Sequence, residues 1–318
     1  MKVIVISPNN YYGLPGALAR YLNRLEGIFA GSMTYDVPLY GYGSETVLRE
    51  MDPPGLERII ADLLSADIIH LFDHDFQVGK FVLDEHLRSD NALITYTPGY
   101  FKDNYGKIFF RHFRSGLVAT TWPIDPGYSL CPVPFVHLPL VVDLEDLPQP
   151  PRPRNVGRII IATATRYGDQ AQMAEVSKII VRLKNKSDLA LNCLDNLSRP
   201  EYLEQLTKSD LFIDSYGHPG LTPMGLEAMA CGAVVITNMT GLDYTLNPDA
   251  PVIPAGLANL EQAIKDVISR RERMNDLKAK SAHWVKENYQ PEKCAGRWSD
   301  LYQHIKNGGK ELEHYPGI

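Results

Sequence analysis

Strand-like segments alternate with helix-like segments along nearly the whole chain, in two series either side of Pro148-Gln-Pro-Pro-Arg-Pro153. Runs such as Val3-Ile-Val-Ile6 and Val234-Val-Ile236 have no polar alternation, the pattern of parallel strands buried on both faces. Parallel neighbours need crossover connections, and helices supply them, so the pattern specifies an α/β architecture. The first series places strands over 2–6, 67–72, 92–96, 116–120 and 133–138, with helices over 14–25 and 56–65. Gly13, Pro15 and Gly16 sit in the loop that enters the first helix. The second series places strands over 158–162, 189–193, 211–214, 234–236 and 252–253, with helices over 170–183, 200–207 and 226–231 and a mostly helical stretch over 260–288. A last helix covers 292–306, and the polar tail after it is expected to be mobile. The proline-rich segment is a semi-rigid spacer. We therefore expect doubly wound domains over 1–150 and 151–290, facing a cleft with ligands at the strand carboxyl ends, and a C-terminal segment over 291–318.

A length of 318 residues suits two domains. The net charge of -6 argues against a nucleic-acid partner, which normally meets a basic face. Lys102, Lys107, Arg111, His112 and Arg114 make one local basic run, read as a solvated helix face or as a contact for an acidic acceptor or lipid headgroup. Membrane association would then be peripheral, since no segment approaches the roughly 18 apolar residues of a spanning helix. The apolar run at the N-terminus is too short for a signal peptide. Cys131, Cys193, Cys231 and Cys294 form no CxxC pair, which speaks against a zinc site or disulfide framework and fits a reducing cytoplasm. Gly13-Leu-Pro-Gly16 is not GxGxxG, so a nicotinamide dinucleotide site is not expected.

The most site-like stretch runs Gly220-Leu-Thr-Pro-Met-Gly-Leu-Glu-Ala-Met-Ala-Cys-Gly-Ala-Val-Val-Ile-Thr237. It reads as loop, short helix, glycine stop and buried strand, with Gly232 in the left-handed position after the helix. Glu227 is the one charge on an otherwise apolar helix. A carboxylate for sugar hydroxyls, beside helix N–H groups for phosphate, suits a nucleotide sugar.

Ser209-Asp-Leu-Phe-Ile-Asp-Ser215 followed by that stretch resembles the donor site of glycosyltransferase family 4, retaining enzymes with the GT-B fold. Asp67-Ile-Ile-His70 is similar to a strand of the family's first domain. Val136-His-Leu-Pro-Leu-Val-Val-Asp143 is similar to the segment before the second domain, and Asn288-Tyr289 with Trp298-Ser-Asp-Leu-Tyr302 to the closing helix that crosses back onto the first. The resemblance implies two Rossmann-like domains, acceptor side first and donor side second. It implies no cofactor and no essential metal. Glu227 matches the second Glu of the E-x7-E pattern, which holds the ribose. Gly220, Leu221 and Thr222 match the turn whose N–H groups meet the diphosphate. Arg166 matches the cation for the leaving diphosphate, and Gly13 to Gly16 the glycine loop near donor phosphate and acceptor. Three positions depart from the family. Pro219 stands where the first Glu would be, Asp169 near the phosphate-binding Lys, and Thr97 near the histidine of the first domain, for which His74 or His218 could substitute.

The bland readings are a surface carboxylate for Glu227, a surface arginine for Arg166, a polar loop for Asp73-His-Asp75, turn filler for His218 and a core histidine for His70. Against them stands a glycosyltransferase that uses a nucleotide-diphosphate sugar, with Arg166, His74 and His218 as catalytic candidates. Its acceptor would be a glycan, a lipid or another small molecule. The alternatives are a non-catalytic GT-B protein binding nucleotide or glycan, or another GT-B enzyme such as a sugar-nucleotide epimerase. Base, sugar, acceptor and oligomeric state are not readable from the chain.

Overall fold

Lys2–Ser7 forms β1, buried along nearly its whole length, and pairs in parallel with Phe29–Thr34 (β2) on one side and Ile68–Phe72 (β4) on the other. The computed structural model describes residues 1–7, 13–34, 46–48, 51–72, 92–96, 117–120, 135–148, 157–164, 170–184, 188–195, 197–214, 220–239, 247 and 249–308. These fall into two units, Met1–Asp143 with Pro291–Ile318, and Leu144–Gln290.

In the first unit the described strands are β1, β2, Thr46–Val47 (β3), β4, Ala92–Tyr96 (β5), Leu117–Thr120 (β6) and Phe135–His137 (β7). They form one parallel sheet in the order β3-β2-β1-β4-β5-β6-β7. Leu14–Leu22 (α1) and Pro53–Leu64 (α2) are its described crossover helices. Asp52 caps α2, its side chain accepting from Gly55 N–H at 2.9 Å, and Pro53 and Pro54 occupy first-turn positions where a missing N–H costs nothing. Ile59 and Leu63 turn inward onto Ile4, Ile6, Ile69 and Leu71.

Pro291–Lys306 (α8) belongs to this unit. Its apolar face, Trp298, Leu301, Tyr302 and Ile305, is buried. Trp298 Nε1 donates to the Pro139 carbonyl at 3.0 Å, and Lys306 pairs with Asp67 at 2.9 Å. His70 on β4 is the core histidine expected: fully buried, stacked on Phe72 at 4.6 Å and against Trp298 at 4.8 Å.

The second unit holds Ile159–Thr163 (β8), Leu189–Cys193 (β9), Leu211–Ile213 (β10), Val234–Thr237 (β11) and Ile253–Pro254 (β12), a parallel sheet in the order β12-β11-β10-β8-β9. Its described helices are Gln170–Lys184 (α3), Arg199–Thr207 (α4), Pro223–Ala230 (α5), Leu260–Ile268 (α6) and Arg271–Asn288 (α7). One face of the sheet, Ile159, Ile161, Leu211, Ile213, Val234 and Ile236, packs on Val176, Ile180, Leu260, Ile264 and Met274. The alternate residues Ala162, Phe212 and Val235 are buried as well, so both faces are covered. Asp210 accepts from the Ile160 N–H at 2.9 Å and from Lys278, which ties β8 and α7 to the start of β10.

Several boundaries differ from the sequence reading. β2 and β3 were not expected. α1 stops at Leu22, and Pro15 and Gly16 lie in its first turn instead of an entry loop. α5 begins at Pro223, three residues before the first strong helix former. The stretch over 260–288, expected to be mostly helical, is two helices separated by Ser269 and Arg270.

Candidate functional site

Strand order reverses once in each sheet. In the second unit β8 leads by crossover to β9 on one side, and β10 lies on its other side and leads to β11. Where crossovers depart in opposite directions, as from β8 and β10, the carboxyl ends of the two strands are the usual ligand position in an open α/β sheet. In sequence, residues 165–169, which include Arg166, follow β8, and residues 215–219, which include His218, follow β10. In the first unit the reversal falls between β1 and β4, which are continued by residues 8–12 and 73–91. Gly13, at φ 72°, caps α1 just after the first of these segments, and His74 belongs to the second. Arg166, His74 and His218 themselves lie outside the described residues. So do Pro219, Asp169, Thr97, Cys131, the basic run over 102–114 and the tail over 309–318.

The α5 N-terminus is built onto the carboxyl edge of the second sheet. Thr222 is its N-cap, with Oγ1 accepting from Gly225 N–H at 3.1 Å. Asp214, directly after β10, accepts from Thr222 N–H at 2.9 Å and from Thr222 Oγ1 at 2.5 Å. Gly220 takes φ 97°, its N–H bonds the Asn238 carbonyl at 2.9 Å, and its own carbonyl accepts from Thr237 Oγ1 at 2.7 Å. Two of the three N–H groups expected to face a diphosphate, those of Gly220 and Thr222, are thus engaged within the chain. Leu221 N–H makes no hydrogen bond among the described residues, and Met224 N–H is a first-turn amide of the kind a helix leaves unpaired. Gly225 allows the close approach, since a Cβ there would collide with Asp214 Oδ2 and lie 2.9 Å from Leu221 Cδ1.

The far end of α5 closes as expected. Gly232 takes φ 84°, its N–H bonds Met229 O at 3.0 Å, and Ala233 N–H bonds Ala228 O at 2.8 Å, a Schellman ending that sends the chain straight into β11.

Glu227 is buried on α5, with 1% of its side chain exposed. A residue unmarked in the sequence holds it: Arg199, first in α4. Arg199 Nη2 donates to Glu227 Oε1 at 2.7 Å and Nη1 to Oε2 at 3.0 Å, a bidentate pair. The guanidinium lies 5.5 Å from the Tyr202 ring centroid and is 14% exposed. The start of α4 is set by Glu201, whose Oε2 accepts from Ser198 N–H at 2.9 Å and from Ser198 Oγ at 2.6 Å. That S-x-x-E signal marks the helix start, but nothing in it names Glu227 as the arginine's partner. Burial pushes the Cys231 thiol up to about 12, helped by the charge of Glu227 and opposed by Arg199. Among the described residues no helix is long and apolar enough to cross a membrane.

No protein-family model and no curated protein matches the chain. Solved structures do. Sucrose-phosphate synthase from Thermosynechococcus elongatus superposes with TM-score 0.63 at 13% identity, over 97% of this chain and all of that one. A Thermobaculum terrenum O-GlcNAc transferase variant gives 0.64 at 13%, over 97% of this chain and 68% of that one. UDP-GlcNAc 2-epimerase from Neisseria meningitidis, bound to UDP-GlcNAc, gives 0.51 at 11%, over 97% and 100%. At these identities the likeness is one of fold: the chain has the α/β architecture, on two parallel sheets, of GT-B glycosyltransferases and related epimerases.

Proposed function

We propose that the chain transfers a sugar from a nucleotide-diphosphate sugar to a carbohydrate, lipid-linked or other small acceptor, in the manner of glycosyltransferase family 4. The observation that carries this reading is the α5 helix: its N-terminus is held against the carboxyl edge of the sheet beside the β8–β10 reversal, and its one carboxylate, Glu227, is braced there. Ribose hydroxyls would donate to the Glu227 carboxylate. Leu221 N–H and the first-turn amide of Met224 would meet a phosphate oxygen, favoured by the helix dipole. Arg166, three residues past Thr163, would supply the cation. As the bond to the anomeric carbon breaks, charge grows on the departing diphosphate, and preorganised donors with a fixed cation stabilise that charge most. His74 or His218 would contact the transferred sugar. Retention at the anomeric carbon, independence from a bound metal and a cytoplasmic setting are part of the proposal and come from the family resemblance and the free thiols.

A nucleotide-sugar epimerase is the second reading, supported by the likeness to the 2-epimerase and by Pro219 where the resemblance implies a sugar-binding Glu. The deciding experiment is a thermal-shift screen with UDP, GDP, ADP and their sugars, followed by chromatography of the products. Release of nucleoside diphosphate with transfer or hydrolysis supports the transferase, and sugar isomerisation without such release supports the epimerase. Binding without turnover would leave a nucleotide-binding scaffold. No stabilisation by any of these ligands would sink the nucleotide site.

A further inference from the structure

We propose that the second unit carries a separate binding site for a free apolar α-amino acid, in the groove between α6, α7 and the edge strand β12. The chain turns back at Ser269 and Arg270, which sets the first turns of α7 beside α6. The groove between them has a volume of about 360 Å³, the size of a small-ligand pocket. Val252 and Ile253 of β12, Val267 of α6, and Met274 and Leu277 of α7 give it an apolar lining. Val267 and Met274 belong to the core of the unit, so the floor of the groove is continuous with that core. Asn259, Gln262 and Asp266 recur at helical spacing and make one flank of α6 a polar wall. β12 itself is a poor template for an added strand, since it has two residues and the second is Pro254, with no N–H to donate. The groove therefore suits a compact molecule better than an extended peptide.

The two walls carry opposite charges. Asp266, exposed on α6, accepts from Gln262 Nε2 at 2.8 Å and forms no ion pair among the described residues. Arg273, exposed on α7, makes no ion pair or hydrogen bond among the described residues. A neutral apolar molecule would leave both charges unused, and a simple organic acid would be repelled by Asp266. A zwitterion with an apolar side chain uses every part: its ammonium on Asp266, its carboxylate on the Arg273 fork, its side chain on the floor. Gln262 steadies the aspartate for this role, and the flexible thioether of Met274 adapts to side chains of different shape. The proposal does not depend on the nucleotide reading, because β12 is the outermost strand of its sheet, with β11 between it and β10.

A saturation-transfer NMR titration of the full chain with L-leucine, L-methionine and L-phenylalanine tests this. All three should bind, and glycine, with no side chain for the floor, should not. N-acetyl-L-leucine lacks the ammonium and L-leucinamide lacks the carboxylate, and each should bind roughly fivefold more weakly than L-leucine, the upper worth of an exposed ion pair. Asp266→Asn and Arg273→Gln should each weaken L-leucine by a similar factor. The losses should also match: Asp266→Asn leaves N-acetyl-L-leucine unchanged, and Arg273→Gln leaves L-leucinamide unchanged. Both side chains are exposed, so both variants should melt at the wild-type temperature, which separates lost binding from lost folding. If none of the three apolar amino acids binds wild type, the inference is overturned. It is overturned equally if L-leucine binds both folded variants as tightly as wild type, because the ligand then sits elsewhere.

Discussion

His70 Nδ1 lies 2.6 Å from the Tyr302 hydroxyl, although 232 residues separate the two in the chain. The contact joins β4 to α8 inside the first unit and lies wholly out of water, in a nest completed by Phe72 and Trp298. Burial drives the histidine down to about 3 from its ordinary 6.5, and it pushes the Tyr302 hydroxyl well above its usual value. Both side chains are therefore neutral across the physiological range.

Acid should weaken the first unit through His70. Its folded value lies below its unfolded one, so the unfolded chain takes up the proton first. Stability is fully present above 6.5 and is lost as pH falls from 6.5 towards about 3. The slope is about 1.4 kcal/mol per pH unit inside that window. Urea unfolding followed by tryptophan fluorescence, which Trp298 reports beside the histidine, should show the midpoint falling across this range. The fall should be shallower in His70→Phe, and an equal slope in the two proteins would remove His70 as its origin.

Gly225→Ala should destabilise the second unit by about 1–3 kcal/mol, the usual cost of forcing a methyl into a filled space. The new Cβ would strike Asp214 Oδ2 and push that carboxylate off Thr222, loosening the α5 cap. Removing the obstacle should recover part of the loss, so the substitution should cost less in an Asp214→Ala background than alone. Thermal unfolding of the four proteins of this double-mutant cycle measures it, and strict additivity would contradict the collision.

These two networks differ in how far the sequence exposes them. The parallel-sheet architecture was legible because buried strands such as Val3-Ile-Val-Ile6 are runs of β-branched residues. β2 was not: Phe29-Ala-Gly-Ser-Met-Thr34 has weak intrinsic preference and is a strand because β1 and β3 pair with it on both sides. The early start of α5 was written in Thr222-Pro223, a capping residue before a first-turn proline, yet proline and glycine also punctuate loops and the two meanings compete. The break at Ser269 and Arg270 carries neither residue. Within the site, Glu227 stood out as a lone charge on an apolar helix. Arg199 did not, because a pair between two helices depends on how those helices pack, and no spacing along one chain encodes that.

The cysteines should divide by accessibility. Cys193 is exposed at the end of β9, whereas Cys231 and Cys294 are buried and raised to about 12, chiefly by burial itself. Alkylation needs the thiolate at the surface. Iodoacetamide at neutral pH, mapped by mass spectrometry, should modify Cys193 in the folded protein and reach Cys231 and Cys294 only when it is unfolded. Labelling of Cys231 in the native protein at the rate of Cys193 would show that the end of α5 opens readily.

Breaking the Arg199–Glu227 pair from one side should cost far more than removing it whole. Arg199→Ala takes the bidentate partner from a carboxylate whose side chain is 1% exposed, and breaking a buried pair from one side typically costs about 3–5 kcal/mol. Glu227→Ala takes the carboxylate from a guanidinium that at 14% exposure still reaches some water, so its penalty should be the smaller of the two. The double replacement Arg199→Met with Glu227→Leu leaves no charge behind and fills similar volume, and it should return the second unit to within about 1–2 kcal/mol of wild type. Chemical denaturation of the three variants gives the comparison. A double variant as unstable as Arg199→Ala would mean that the pair organises the α4–α5 packing itself, beyond balancing charge. A stable double variant that no longer binds nucleotide would separate the site's chemistry from its fold, since only the chemistry then needs the charges.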